Sequence, residues 1–295
     1  MDRFDKIVVI DGLSWTKDYA KREIETLSKA PVTFPKDYPK SEKEIIKRIG
    51  DADCVLLSWQ TTLTTNVLQK CPNIKYIGLS ATTLANLPVS NIEKRGIVLK
   101  NVVNYSGEAA AEYIFMQLLM LIRGLHGYRW KEDCSELNGK TIGILGLGDV
   151  GKHVALRSLG FNMKVLYYQR RRDEEFEAKG LRYTQLEELL QKSDIITIHL
   201  PTNTHIIHKK ELRLIRDGAI LVNTTLGKVF DASEFSEWLD KGKNFAIFDA
   251  DAETSELKNC KNIIIGDQEA GKSLEGAERL SQKLVSNIKT YLAEH

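Results

Sequence analysis

Between Lys140 and Arg172 the chain reads KTIGILGLGDVGKHVALRSLGFNMKVLYYQRRR. An apolar run, Thr141–Leu145, leads into Gly146-Leu147-Gly148-Asp149-Val150-Gly151. A helix-compatible stretch, Lys152–Leu159, follows, and then a second apolar run, Lys164–Tyr168. Few folds accommodate that order except strand, glycine turn, helix and parallel strand within a unit of roughly 30 residues. Each glycine has its own reason. Gly146 permits a tight turn, Gly148 lets a ligand approach the backbone, and Gly151 allows the helix to pack closely on the strand. The helix N-terminus then presents unpaired N–H groups and a partial positive charge, which suit a pyrophosphate.

This predicts a Rossmann-type nucleotide-binding unit, with Gly146, Gly148, Asp149, Val150 and Gly151 at the phosphates. Sites that prefer NAD place an acid roughly 20 residues beyond the glycines to bind the ribose 2′-OH. Here that position is Gln169, followed by Arg170, Arg171 and Arg172. Without the carboxylate a 2′-phosphate meets no like charge, and Arg170 or Arg171 offers it a charge-assisted partner. The pattern favours NADP over NAD. The plainer alternative is a solvated basic turn ahead of the acidic Asp173, Glu174 and Glu175.

At 295 residues the chain is long enough for two domains. Its net charge of +2 is too balanced for a dedicated nucleic-acid binder or a polybasic membrane binder. Cys54, Cys71, Cys134 and Cys260 are scattered, without metal-binding spacing, and read as reduced thiols of a cytoplasmic protein. The first residues run straight into a strand with no signal-peptide pattern, and no apolar run reaches the roughly 18 residues of a membrane span.

Apolar runs and helical patterns alternate almost from end to end. Strands are expected at Lys6–Ile10, Cys54–Leu57, Tyr76–Leu79, Ile97–Leu99, Ile195–His199, Ala219–Asn223, Phe245–Asp249 and Ile263–Ile265. Helices are expected at Lys17–Ser28, after a capping box at Ser41–Glu44, at Asn91–Arg95, Gly107–Arg123, Leu186–Gln191, Ser233–Lys241 and Leu274–Leu292. Such alternation implies α/β architecture with parallel, doubly wound sheets covered by helices on both faces. A first domain is expected over 1–104 with 271–295, and a nucleotide-binding domain over 105–270. Two crossings between them suggest a hinged cleft that holds the ligand.

With these segments in view, the chain resembles the D-isomer-specific 2-hydroxyacid dehydrogenases, the family of glycerate and hydroxypyruvate reductases, over nearly its full length. The resemblance rests on Ile74–Gly78 with Ile92–Ile97, Glu108–Tyr113 with Arg123, Leu137–Thr141 before the glycine loop, His199-Leu200-Pro201-Thr202 with Thr204, and Leu221–Thr224. It implies a flavodoxin-like substrate domain beside the Rossmann domain. It also implies a homodimer built on the helix over 107–123, whose residues Tyr113 to Ile122 are apolar nearly all round. His199, Leu200, Pro201 and Thr204 are then expected over the cofactor, with Thr224, Thr225 and Asp249 beside it, although His199 and Asn223 also suit structural roles.

The family's chemistry rests on an Arg that orients the 2-keto-acid carboxylate, a His that acts as general acid and base, and a Glu that tunes the His. This sequence departs from all three. Leu226 stands at the Arg position and Gln268 at the His position. Equal spacing puts Thr254 at the Glu position, and a shift of one residue puts Glu253 there. In the expected substrate loop, Thr82, Thr83 and Leu84 lead to Pro88, with Thr83 in place of a glycine and Pro88 in place of an acid. Lys228, Glu253, Asp267, Glu269, His205 and His208 are candidate replacements, though each suits a solvated surface equally well. No metal site is expected.

Three functions follow from these readings: a dinucleotide binder that has lost ordinary 2-keto-acid reduction, an oxidoreductase acting on an atypical substrate, or a Rossmann site turned to another adenosyl ligand such as S-adenosylmethionine. The ligand in each case is a small molecule.

Overall fold

The computed structural model describes residues 2–13, 15–125, 127, 129–202, 204–227, 229–241, 243–250, 257 and 260–295. Glu253, Thr254 and Lys228 lie outside the described residues. The chain divides into two compact units, Met1–Tyr105 with Ser273–His295, and Ser106–Lys272.

The first unit contains β1 (Ile7–Val9), α1 (Asp18–Thr26), α2 (Glu42–Ile49), β2 (Cys54–Leu57), α3 (Thr65–Lys70), β3 (Tyr76–Leu79), α4 (Val89–Lys94) and β4 (Val98–Asn101). Its strands pair in parallel in the order β1-β2-β3-β4. A lone parallel bridge between Phe4 and Ser28 extends the sheet at its β1 edge. Counted as a strand, that segment gives the flavodoxin-like order 2-1-3-4-5. Every residue of β2 and β3 is buried, as a sheet covered on both faces requires. The C-terminal helix, Leu274–Glu294, belongs to this unit and buries Leu280, Leu284, Ile288 and Leu292. The expected capping box before α2 closes differently. Ser41 Oγ accepts from Glu44 N at 3.3 Å, but the Glu44 carboxylate reaches Lys40 N at 2.9 Å rather than Ser41 N.

The second unit contains α5 (Gly107–Ile122), β5 (Thr141–Leu145), α6 (Asp149–Gly160), β6 (Lys164–Tyr168), α7 (Glu174–Ala178), β7 (Arg182–Tyr183), α8 (Leu186–Lys192), β8 (Ile195–Ile198), α9 (Lys209–Leu212), β9 (Ile220–Asn223), α10 (Ala232–Lys241), β10 (Phe245–Phe248) and β11 (Ile263–Ile265). The sheet is parallel throughout, in the order β11-β10-β9-β8-β5-β6-β7. Strand order reverses between β5 and β8. Ligands of open α/β sheets bind at such a switch point, beyond the carboxyl ends of the strands. One face of the sheet is packed by α5 and α6 through Ile114, Leu118 and Val154 against Ile144, Tyr167 and Val222. The other face is packed by Leu189, Phe235 and Leu239 against Ile196, Leu221 and Phe248. The unit itself covers most of α5 and leaves Glu108, Glu112 and Met116 exposed along one line.

Candidate dinucleotide site

The glycine loop lies at the carboxyl end of β5, at the switch point. Gly146 has φ +93°, and a Cβ there would sit 2.5 Å from His199 O, so both conformation and space exclude a side chain. At Gly151 a Cβ would lie 2.1 Å from Gly146 O, which is how α6 comes to pack so closely on the turn. Gly148 is different. It caps α6 with an ordinary φ of −81°, and a Cβ there would meet nothing within 4 Å. Glycine at 148 is therefore not required by the fold. It keeps open the space in front of the first-turn N–H groups of Asp149 and Val150, which have no acceptor within their own helix. These residues fit a pyrophosphate.

Asp149 contributes backbone rather than carboxylate. Its Oδ2 accepts from Gly107 N at 3.1 Å, at the start of α5, and its Oδ1 lies 3.5 Å from His153 Nε2. His153 Nδ1 in turn lies 3.2 Å from Glu108 Oε1. The negative charge beside the loop is thus directed to another helix N-terminus and an imidazole.

Gln169 follows β6. Its Oε1 accepts from Leu147 N at 3.1 Å, inside the glycine loop. That bond fixes the amide orientation, because a backbone N–H can pair only with the oxygen. The Gln169 Nε2 group is left as a pure donor. Arg170 and Arg171 are exposed, and among the described residues neither has a hydrogen bond or an ion pair. Arg172 is committed elsewhere. Its guanidinium pairs with the Glu177 carboxylate, with Nε at 3.0 Å from Oε1. The basic run therefore supplies two free cations rather than three.

On the other side of the switch point, the His199 N–H bonds to Leu145 O at 2.8 Å. Its ring Nε2 lies 2.8 Å from Thr197 Oγ1, and burial holds the imidazole down to about 3. A ring held neutral by its surroundings and bonded within its own strand is not set up for proton transfer. Leu200 packs on the core, and Thr204 N closes a turn onto Pro201 O at 3.1 Å. Asn223 is buried, and its Oδ1 accepts from Thr225 N at 3.2 Å and Thr225 Oγ1 at 2.7 Å, which shapes the turn through Thr224. Asp249 is 2% exposed, and its Oδ2 accepts from Ala270 N at 2.9 Å. Leu226 is half-buried and Gln268 exposed. The Gln268 carbonyl accepts from Ala250 N at 3.1 Å, which holds the segment after β11 beside β10. Of the other candidates, Asp267 and His205 are exposed, Glu269 faces Lys272 at 3.7 Å, and the exposed His208 caps α9.

In the first unit the expected substrate loop is built on itself. Thr82 Oγ1 donates to Val102 O at 3.2 Å, Asn101 Nδ2 donates to Thr82 O at 2.7 Å, and Ala85 N donates to Thr83 Oγ1 at 3.3 Å. Leu84 packs on the core, and Pro88 precedes α4. A feature without a sequence signal lies nearby. Asp11, fully buried after β1, accepts from Ser58 N and Oγ, each at 3.0 Å, and from Thr61 Oγ1 at 2.5 Å. An Asp-Gly pair after a strand reads only as a turn, and the partners lie 47 and 50 residues away.

A parallel sheet with a three-glycine loop at its switch point and open space before the helix N-terminus defines a dinucleotide-binding unit. The chain belongs to the D-isomer specific 2-hydroxyacid dehydrogenases: residues 116–266, just over half of its length, match the family's NAD-binding domain. It is 28% identical over 314 residues to a hydroxypyruvate reductase of Blautia hydrogenotrophica, covering 97% of each chain. It is 29% identical over 274 residues to a glyoxylate reductase of Korarchaeum cryptofilum, covering 85% of this chain and 82% of that one. Among solved structures it is similar to an acyclic imino acid reductase in complex with NADPH and D-Arg, at 28% identity and TM-score 0.85, covering 98% and 97% of the two chains. Relatives of this chain are thus NAD(P)-dependent reductases.

Proposed function

We propose that the protein binds NADP in preference to NAD, and that ordinary 2-keto-acid reduction is lost or altered in it. The Gln169–Leu147 bond carries the cofactor preference. An acid at 169 would present acceptors to the ribose edge, whereas this amide presents only N–H donors there. The free cations of Arg170 and Arg171 follow it directly. Donors and cations together suit a phosphate ester, whose negative charge a 2′-hydroxyl lacks.

When bound, the reduced nicotinamide supplies a hydride. The chain's own part in reducing a 2-keto acid would be to hold the carboxylate and deliver a proton to the carbonyl oxygen. Leu226 cannot hold a carboxylate, and the charged hydrogen bond it forgoes is worth about 1.5–3 kcal/mol. Gln268 carries no titrating proton, and loss of a general acid typically removes about 100- to 10,000-fold in rate.

A second reading draws on the imino acid reductase relative. An iminium substrate arrives already carrying its proton. Hydride addition to its carbon then requires no acid from the protein, and Gln268 is no handicap. S-adenosylmethionine draws no support from these relatives, and Arg170 and Arg171 would find no phosphate in it. The family's dimer is supported by the exposed apolar side chains of Met116 on α5, Leu156 on α6 and Phe161 after it. A cytoplasmic protein is inferred from its free cysteines. Among the described residues no helix is long and apolar enough to cross a membrane.

The test is calorimetric titration of ligand-stripped protein with NADPH and NADH. Gln169→Asp replaces the amide donors with a negative charge at the ribose edge. NADPH affinity should fall about 10- to 100-fold while NADH changes little. An equal effect on both would remove the argument for NADP.

A further inference from the structure

Tyr167, the second-last residue of β6, is fully buried against the α5–α6 face of the sheet. Its hydroxyl reaches forward past the arginine run. It accepts from Asp173 N at 2.8 Å and donates to Glu177 Oε1 at 2.6 Å. Glu177 then pairs with Arg172, whose guanidinium also lies 5.8 Å from the centroid of the Tyr183 ring. The Tyr183 ring meets Tyr167 edge-on at 5.5 Å. From the other side Lys152 Nζ holds Asp173 Oδ2 at 2.8 Å, so the loop is also tied to α6. The four residues from Gln169 to Arg172 are therefore pinned at both ends: at Gln169 by the glycine loop, and at Arg172 and Asp173 by the phenol, Glu177 and Lys152.

We propose that Tyr167 and Glu177 are positioning residues for 2′-phosphate recognition: they clamp the far end of the Gln169–Asp173 segment so that Arg170 and Arg171 are presented beside Gln169. This inference rests on the NADP reading above. Neither residue touches the dinucleotide. They act by removing the alternative conformations that an exposed arginine loop would otherwise sample, an ordering cost that binding would otherwise have to meet. Arg172 serves as part of the clamp and not as a phosphate ligand. The electrostatics agree. Burial foremost, with the Glu177 contact, pushes the Tyr167 phenol up to about 12, while Arg172 foremost, with Tyr167, holds the Glu177 carboxyl down to about 2, so the clamp persists unchanged across neutral pH.

The experiment measures NADPH and NADH dissociation constants for the full chain and for Tyr167→Phe, Glu177→Ala and Arg170→Ala/Arg171→Ala. Tyr167→Phe keeps the ring and its packing but loses both hydrogen bonds. Glu177→Ala releases the clamp from the carboxylate side, where Glu177 is 19% exposed, and thermal unfolding of each variant checks that it is folded. Each single variant should weaken NADPH by about three- to tenfold and leave NADH within about twofold. A residue needed only for folding would weaken both dinucleotides alike. If the arginine pair controls the NADPH-to-NADH ratio but neither clamp variant changes it, the positioning role is overturned and the NADP reading stands. If the arginine pair has no effect on the ratio, both fall.

Discussion

Gly148→Val separates the fold's needs from the ligand's. Any Cβ at 148 projects into space empty to 4 Å, and the local φ of −81° is open to any L-residue. Loss of chain entropy in the unfolded state stabilises the variant by about 0.4–1 kcal/mol, and the poorer N-cap costs a similar amount. Net stability should change by under about 1 kcal/mol, or roughly 3 °C in Tm. The same space is where a phosphate must sit to meet the N–H groups of Asp149 and Val150. Two charge-assisted bonds worth about 1.5–3 kcal/mol each are then lost, which is about 100- to 10,000-fold in NADPH affinity. Gly151→Ala is the control. Its Cβ would lie 2.1 Å from Gly146 O, a backbone atom that cannot yield, so stability should drop by about 1–3 kcal/mol or more. Calorimetry for binding and thermal unfolding for stability read both quantities. A Gly148→Val protein that folds and binds NADPH as tightly as the parent would refute the assignment of the loop.

Three further outcomes are expected. His199 folds with its ring neutral, so its contribution is complete above the unfolded value of 6.5 and is lost as pH falls toward about 3. The slope is about 1.4 kcal/mol per pH unit, and a thermal-unfolding pH series on His199→Gln that fails to flatten in that window would contradict it. Tyr76 is fully buried, and among the described residues its hydroxyl has no hydrogen-bond partner. Tyr76→Phe should therefore raise stability by about 1 kcal/mol, and a loss in denaturant titration would refute this. Leu226→Arg combined with Gln268→His should bring hydroxypyruvate or glyoxylate reduction into measurable range. Complete inactivity of a folded double variant would show that the loop around Thr83 and Pro88 has also diverged beyond use.

The glycine loop was legible in the sequence because three glycines at fixed spacing, between two apolar runs, satisfy a local requirement. The parallel sheets were legible for a related reason: strands buried on both faces leave apolar runs such as Cys54–Leu57 and Ile195–Ile198. The two-residue strand Arg182–Tyr183 is too short to carry any periodicity and forms only because β6 offers it an edge. The arginine run shows where a basic stretch misleads. Sequence counts Arg170, Arg171 and Arg172 as equals, and only the pairing with Glu177 separates the third from the others. The donor face of Gln169 was equally invisible, because it depends on a backbone N–H 22 residues away.

The contact between α5 and the edge of the large sheet has an evolutionary consequence. A Cβ at Gly266 would lie 1.7 Å from Tyr113 Oη and 2.9 Å from its Cζ. Any larger residue at 266 would require the Tyr113 ring to move, and removing the hydroxyl alone would still leave Cζ within 2.9 Å. The two positions are therefore epistatic: the effect of a side chain at 266 depends on which residue stands at 113. Mutational paths through this corner of the protein are smoother when position 113 is shortened first.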